Sequence, residues 1–129
     1  MIVVGIGVDA EPIASFRRKQ LPKDRAFFER VFSKEEIAYC KKFRDSAPHF
    51  TARFCAKEAV VKAVRPSFPI RITDCEIVNH DDGAPFFKAR SQRESFAKFL
   101  AKHQLLISLS HTEELAIAFA VLLKVAHYK

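Results

Sequence analysis

A chain of 129 residues, 49% of them hydrophobic, can bury one core and predicts a single domain over residues 1–129 with no linker. Its 22 Lys and Arg against 15 Asp and Glu leave a formal charge of +7, which favours an anionic partner: nucleic acid, membrane surface, phosphorylated ligand or acidic protein. Cys40, Cys55 and Cys75 are odd in number and far apart, which argues against a disulfide framework or a C-x-x-C zinc site and fits a reducing cytoplasm. The apolar start Met1 to Val8 is too short to span a membrane and lacks the basic flank and cleavage pattern of a signal peptide.

Residues Ile2 to Val8 predict a buried strand, β-branched and punctuated by Gly5 and Gly7, that ends on Asp9. The glycines lie inside the strand and a third is missing, so this is no dinucleotide fingerprint. Asp9 has two readings: a cap for the next helix, with Pro12 just inside it, or a strand-end carboxylate pointing into a site. Ile13 to Gln20 predicts a short helix whose Arg17-Arg18-Lys19 run is ordinarily a solvated face. Asp24 to Arg30 predicts one or two helical turns, with Phe27, Phe28 and Val31 as core contacts. Ser33-Lys34-Glu35-Glu36 has the form of a capping box, opening a helix through about Phe43 with Ile37, Cys40 and Phe43 on one face. Asp45 to Pro48 reads as a loop.

Ala52 to Val64 holds no Gly or Pro and is rich in Ala, and Pro66 stops it after Arg65, which predicts a central helix. Cys55, Ala56, Ala59, Val60 and Ala63 fall on one side; Arg53, Lys57, Glu58, Lys62 and Arg65 spread over the other, interleaved with Phe54, Val61 and Val64. The small stripe Ala56, Ala59, Ala63 would let a sheet or second helix approach closely. Glu58 and Lys62, four apart, share a face with Phe54 one turn before. Spacing alone makes them either a surface ion pair or the seed of a site.

Beyond Pro66 and Pro69 the pattern alternates. Ile70 to Asn79 predicts a strand, and Asp81-Asp82-Gly83 a hairpin turn into Pro85-Phe86-Phe87. Ser91 to Lys102 predicts an amphipathic helix with Phe96, Phe99 and Leu100 inward. Leu105 to Ser110 predicts a strand ending in His111-Thr112. Ser110 beside His111 lacks the G-x-S-x-G elbow, so no hydrolytic triad follows. Glu114 to Val125 alternates large (Ile117, Phe119, Val121, Leu123) with small (Ala116, Ala118, Ala120), which predicts a strand with its bulky side in the core and its Ala side against a close neighbour. His127 to Lys129 reads as a frayed end.

Arg53-Phe54-Cys55-Ala56-Lys57-Glu58-Ala59 with Lys62-Ala63 resembles the R-F-x-A-K-E-A-x-x-K-A signature of the 4'-phosphopantetheinyl transferases, specifically the holo-acyl-carrier-protein synthase type. Gly5-Ile6-Gly7-Val8-Asp9 and Ser108-Leu109-Ser110-His111-Thr112 resemble that family's second and third signatures, and Phe32-Ser33-x-x-Glu36 and Asp74-Cys75-Glu76-Ile77 are weaker matches. Three departures stand out. Ser15 replaces an Arg that commonly contacts the carrier, with Arg17 or Arg18 as neighbouring substitutes. Ala84 replaces a lysine. Arg65-Pro66-Ser67 replaces a glycine-bearing loop near the coenzyme, with Arg65 as the available charge.

The resemblance implies an α+β fold, a mainly antiparallel sheet around a long central helix, in a homotrimer with its sites between subunits. It implies transfer of 4'-phosphopantetheine from coenzyme A to a serine of an acidic acyl carrier protein, releasing adenosine 3',5'-bisphosphate. It also implies Mg2+ ligands at Asp9 and Glu58, a charge stabiliser that also meets the coenzyme at Lys62, and coenzyme contacts at Arg53 and His111. The chemistry agrees, because two carboxylates holding Mg2+ beside a lysine neutralise charge at a diphosphate. Either Glu58 or a metal-bound water could deprotonate the attacking serine. A basic nucleic-acid-binding module without catalysis is the alternative: it explains the charge and the Arg17 to Lys19 run, but leaves the three motifs unexplained and shows no helix-turn-helix or RNP signature.

Overall fold

The computed structural model describes residues 1–19 and 23–126. The expectations for Gln20 and for His127 to Lys129 lie outside the described residues. The first strand, β1 (Ile2–Pro12), leads into a short helix α1 (Ile13–Arg17), then α2 (Arg25–Val31) and α3 (Lys34–Lys41). The long helix α4 (Ala47–Val64) follows, then a single 3-10 turn at Ile72–Asp74, the hairpin β2 (Cys75–Asn79) and β3 (Pro85–Ala89), α5 (Glu94–Ala101), β4 (His103–His111) and β5 (Leu115–Lys124). All strand pairs are antiparallel: β1-β5-β4 form one sheet and β2-β3 a second, with α4 packed between them. This is the expected α+β arrangement around a central helix.

What lets α4 lie so close is the absence of side chains where it crosses β1. A Cβ added at Gly5 would fall 1.8 Å from the Ala63 carbonyl oxygen, and one at Gly7 would fall 2.0 Å from that of Ala59. The strand glycines and the Ala stripe of the helix are two halves of one contact. Around it, Val60, Val64, Ile77, Phe96 and Leu122 fill the first core. A second core is built from Phe16, Phe28, Phe32 and Phe50, with ring centroids 4.9 Å apart for Phe28–Phe50 and 5.0 Å for Phe32–Phe50. Each such ring contributes about 1.5–3 kcal/mol on burial, and together they fix α1 and α2 against the first half of α4, with Cys40 bringing α3 into the same core. Phe54, one turn before Glu58 on α4, packs into this core against Phe16.

Several sequence expectations change. Strand β1 does not end at Asp9 but runs on to Pro12, paired with β5 without a break from Gly5 onward, so Asp9 caps no helix; Pro12 is the N-cap of α1. Helix α4 begins at Ala47, because Pro48 sits in its first turn, where a missing N–H costs nothing. Residues Ile70 to Asp74 are not strand, since the Asp74 carboxylate takes the Arg71 N–H and folds the chain into the 3-10 turn. On β5 the Ala face does meet a close neighbour, with Ala116, Ala118 and Ala120 buried against α4, but the bulky face is not in the core: Ile117 and Phe119 are exposed. The Ser33 capping box forms as expected, with the Glu36 N–H donating to Ser33 Oγ and the Ser33 N–H to Glu36 Oε1. The three cysteines are free and buried, and burial pushes each thiol up to about 12.

Candidate active site

Alternation along β1 turns Gly5, Gly7, Asp9 and Glu11 toward α4. The glycines draw the helix in, and the carboxylates that follow them meet its polar face. Lys62 Nζ donates to the Val8 carbonyl at 2.9 Å and lies 3.4 Å from Asp9 Oδ1. Asp9 is nearly buried, and its Oδ2 has no hydrogen-bond partner. Glu58 stands beside it: burial first, then the negative charge of Asp9, raises its pKa, with Lys62 and Arg65 pulling the other way. Glu11 is raised by burial and by Asp9 in the same way, with a smaller push from Glu58. Asp9, Glu58 and Lys62, all expected from sequence, therefore converge. Glu11 was not expected, although its two-residue spacing from Asp9 places both on one strand face.

One helical turn away the same helix buries a second lysine. Lys57 is fully enclosed; its ammonium donates to the Val31 carbonyl at 2.5 Å and to Glu36 Oε1 at 2.6 Å, and burial lowers its pKa against the pull of Glu36. Glu36 Oε2 accepts the Ile77 N–H at 2.9 Å, and Ser33 Oγ donates to Glu76 Oε2 at 2.5 Å. This network ties α3, α4 and β2 together. Periodicity had set Lys57 on a polar helix face, and nothing local to α4 signals that α3 and β2 cover it.

Arg53 is also buried. Its guanidinium lies 4.0 Å over the Tyr39 ring and donates to Asn79 Oδ1, while its Nε has no partner. Beside it, His49 stacks on Phe43 at 3.5 Å and meets the His111 ring edge-on at 6.4 Å. Burial, then the charges of Arg53 and His111, lower the His49 pKa. Arg53 and His111, both expected coenzyme contacts, thus belong to one basic corner, and His49 is a member that the sequence reading missed.

The two groups are separate. Asp9 and Glu11 lie on one edge strand of the β1-β5-β4 sheet and His111 on the other. His49 and Glu58 are nine residues apart on α4, about 13 Å along its axis. Within one chain, Asp9, Glu58 and Lys62 come together, Arg53 and His111 come together, and the two sets do not meet. Among the described residues, no group of three or more His, Cys, Asp or Glu side chains is arranged to hold a metal ion, and no helix is long and apolar enough to cross a membrane.

Residues 5–120 match the model of the 4'-phosphopantetheinyl transferase superfamily. The holo-[acyl-carrier-protein] synthase of Protochlamydia amoebophila is 38% identical over 122 residues, 93% of this chain and 98% of that protein. That of Clostridium acetobutylicum is 35% identical over 122 residues, 94% and 98% of the two chains. Among solved structures, the holo-[acyl-carrier-protein] synthase of Neisseria meningitidis superposes with a TM-score of 0.78 at 26% identity over 95% of this chain and 100% of its own. The Helicobacter pylori enzyme in complex with coenzyme A gives 0.75 at 27%, covering 91% and 98%. The fold, the convergence of Asp9, Glu58 and Lys62, and these matches agree: the chain belongs to the 4'-phosphopantetheinyl transferase superfamily.

Proposed function

We propose that this chain is a holo-[acyl-carrier-protein] synthase, one transferase domain that moves 4'-phosphopantetheine from coenzyme A to a serine of an acidic apo acyl carrier protein and releases adenosine 3',5'-bisphosphate. The observation that carries this reading is the meeting of Asp9, Glu58 and Lys62 where Gly5 and Gly7 let α4 rest on β1. Lys62, more than half exposed and held in place by the Val8 carbonyl, presents ammonium protons to a diphosphate oxygen as the bond to the leaving nucleotide breaks. Glu58, whose proton affinity is raised by burial and by Asp9, is suited to accept the proton of the attacking serine. Arg53 supplies positive charge, and His111 a ring nitrogen, for a coenzyme phosphate.

Mg2+ fits the donor set. Asp9 Oδ2 is a buried oxygen with no hydrogen-bond partner, and a second carboxylate stands beside it, which suits a hard cation that fills its other positions from water and substrate. Asp9 and Glu58 would hold it, and when bound it would neutralise charge developing on the diphosphate. A homotrimer is supported by the solvent-facing side of the sheet, where Ile6, Val8, Leu106, Ile117 and Phe119 are all exposed. With the Glu58 group and the His111 group apart in one chain, a site completed between subunits accounts for both. The free cysteines fit a cytoplasmic enzyme, and fatty-acid synthesis is the natural use of the product carrier.

The experiment is a mass spectrum of apo acyl carrier protein after incubation with the chain, coenzyme A and Mg2+. The expected result is a gain of one phosphopantetheine, abolished by chelation. Salt-sensitive retention of DNA or RNA with no such gain would replace this reading by the nucleic-acid module.

A further inference from the structure

Where α4 ends, the chain turns through Arg65-Pro66-Ser67 into a groove of about 710 Å³ lined by Arg65, Phe68, Arg71 and Arg93, outside the constellations described above. Three guanidinium groups share this groove, and each is steadied by a contact that leaves most of its donors unused. Arg65 donates one N–H to the Ile70 carbonyl at 3.2 Å. Arg93 donates one to Asp74 Oδ2 at 2.8 Å, lies 5.4 Å from the Phe68 ring centre, and keeps a buried Nε with no partner. Arg71 lies 3.9 Å from the same Asp74 oxygen, whose carboxylate its own backbone N–H also engages. Asp74 is buried and is the one carboxylate paired with this group among the described residues. Three positive charges against one negative leave +2, the charge that matches a phosphomonoester, which carries about −1.5 to −2 at neutral pH.

At the end of α4 two of the last carbonyls are taken by N–H groups, that of Val61 by Arg65 and that of Val64 by Ser67 and Phe68. Arg65 also continues the line of Glu58 and Lys62 at positions i, i+4 and i+7, and its charge reaches Glu58. The groove is thus about 10 Å along the helix from the carboxylates, within the span of one extended nucleotide ligand.

We propose that Arg65, Arg71 and Arg93 form a phosphomonoester-binding site. The group bound is either the 3'-phosphate of coenzyme A, a source that rests on the transferase reading, or a free phosphate compound, which does not. Planar guanidinium forks bind phosphate oxygens in pairs, and Phe68 gives the groove an apolar wall.

The test is NMR of the whole chain labelled at arginine Nε, titrated with inorganic phosphate against chloride at matched ionic strength. The Arg93 Nε–H signal should shift and saturate, and in Arg65→Ala/Arg71→Ala, which changes two exposed side chains, the phosphate Kd should rise about tenfold or more. Arg65→Lys, which keeps the charge but loses the fork, should weaken binding by a smaller factor. No saturable shift, or identical titrations in the wild type and the double variant, would overturn the proposal. Two further arms identify the source. Displacement of phosphate by coenzyme A but not by dephospho-coenzyme A assigns the site to the coenzyme, and displacement by neither assigns it to a free phosphate compound. Equal displacement by both would overturn monoester recognition. Absence of transfer to apo carrier protein by the wild type would refute the transferase reading while leaving the phosphate titration intact.

Discussion

Helix α4 carries two lysine–carboxylate pairs five residues apart that have opposite fates. Lys57 and Glu36 are 2.6 Å apart with both side chains wholly enclosed, and Glu36 spends its remaining capacity on the Ser33 and Ile77 N–H groups. Lys62 and Asp9 are 3.4 Å apart, with Lys62 open to solvent and Asp9 keeping an unpartnered oxygen. A pair whose donors and acceptors are consumed can only hold elements together. One with unspent capacity in a cleft can take a ligand. The difference arises from what covers the helix: α3 and β2 close over Lys57, whereas β1 brings Gly7 and Asp9 to the other flank and leaves Lys62 uncovered.

The largest expected effect breaks the enclosed pair. Glu36→Ala leaves a buried ammonium unpaired and strips acceptors from two N–H groups, and should destabilise the fold by about 3–5 kcal/mol. Denaturant unfolding measures it, and a loss below about 1 kcal/mol would mean that water reaches Lys57. The open pair should answer in the reverse way. Asp9→Ala or Glu58→Ala should lower kcat/KM for transfer by about 100-fold or more, equivalent to about 2.7 kcal/mol of barrier, while the unfolding midpoint stays or rises as carboxylate repulsion is relieved. A fall in stability comparable to that of Glu36→Ala would place Asp9 and Glu58 with the structural pair.

This contrast marks what could be read in advance. The Ala stripe of α4 and the Ser33 capping box were legible because each is a local pattern with a fixed spacing, whereas Gly5 and Gly7 read only as breaks in a strand, and their place as the other half of the close contact needed the fold. The reach of α4 back to Ala47 and the burial of Lys57 were not legible, since they depend on distant elements. The exposed bulky face of β5 is instructive. Alternation identifies two faces but not which one is covered, and both here are apolar. The helix stripe settles it, because small helix residues seated on Gly5 and Gly7 leave room only for Ala116, Ala118 and Ala120 beside them. Asp9, Glu58 and Lys62 were found as motif members, whereas Glu11 and His49 belong to no motif. They are recognised only by what surrounds them.

The open pair also lacks the basic corner in its own chain, which yields a third test. Glu58→Ala and His111→Ala should each disable a homotrimer, one at the carboxylate group and the other at a phosphate contact. Remixed after dissociation, they should complement. In a ring of heterologous contacts each mixed trimer has one interface with both residues intact, so random 1:1 mixing should restore about a quarter of the sites. Gel filtration verifies the exchange. Exchange without recovery would mean that a single chain supplies the whole site.

The smallest effect concerns a further exposed pair, at the C-terminal end of α1. Arg17 grips both oxygens of Asp45 at 2.8 Å, whereas Arg18 makes no ion pair among the described residues. To an approaching acidic protein the first is a dipole, whose field falls off quickly, and the second is a lone charge. Deleting the neutral pair with Arg17→Ala/Asp45→Ala should therefore leave the KM for carrier protein within about a factor of two. Arg18→Ala should raise it about threefold at low salt, with the KM for coenzyme A unchanged. Raising the ionic strength should erase the difference, because exposed charges are screened beyond about 10 Å at 0.1 M salt. A rise in the double variant equal to that in Arg18→Ala would show that Arg17 leaves Asp45 to meet the carrier, and that this clasp opens on docking.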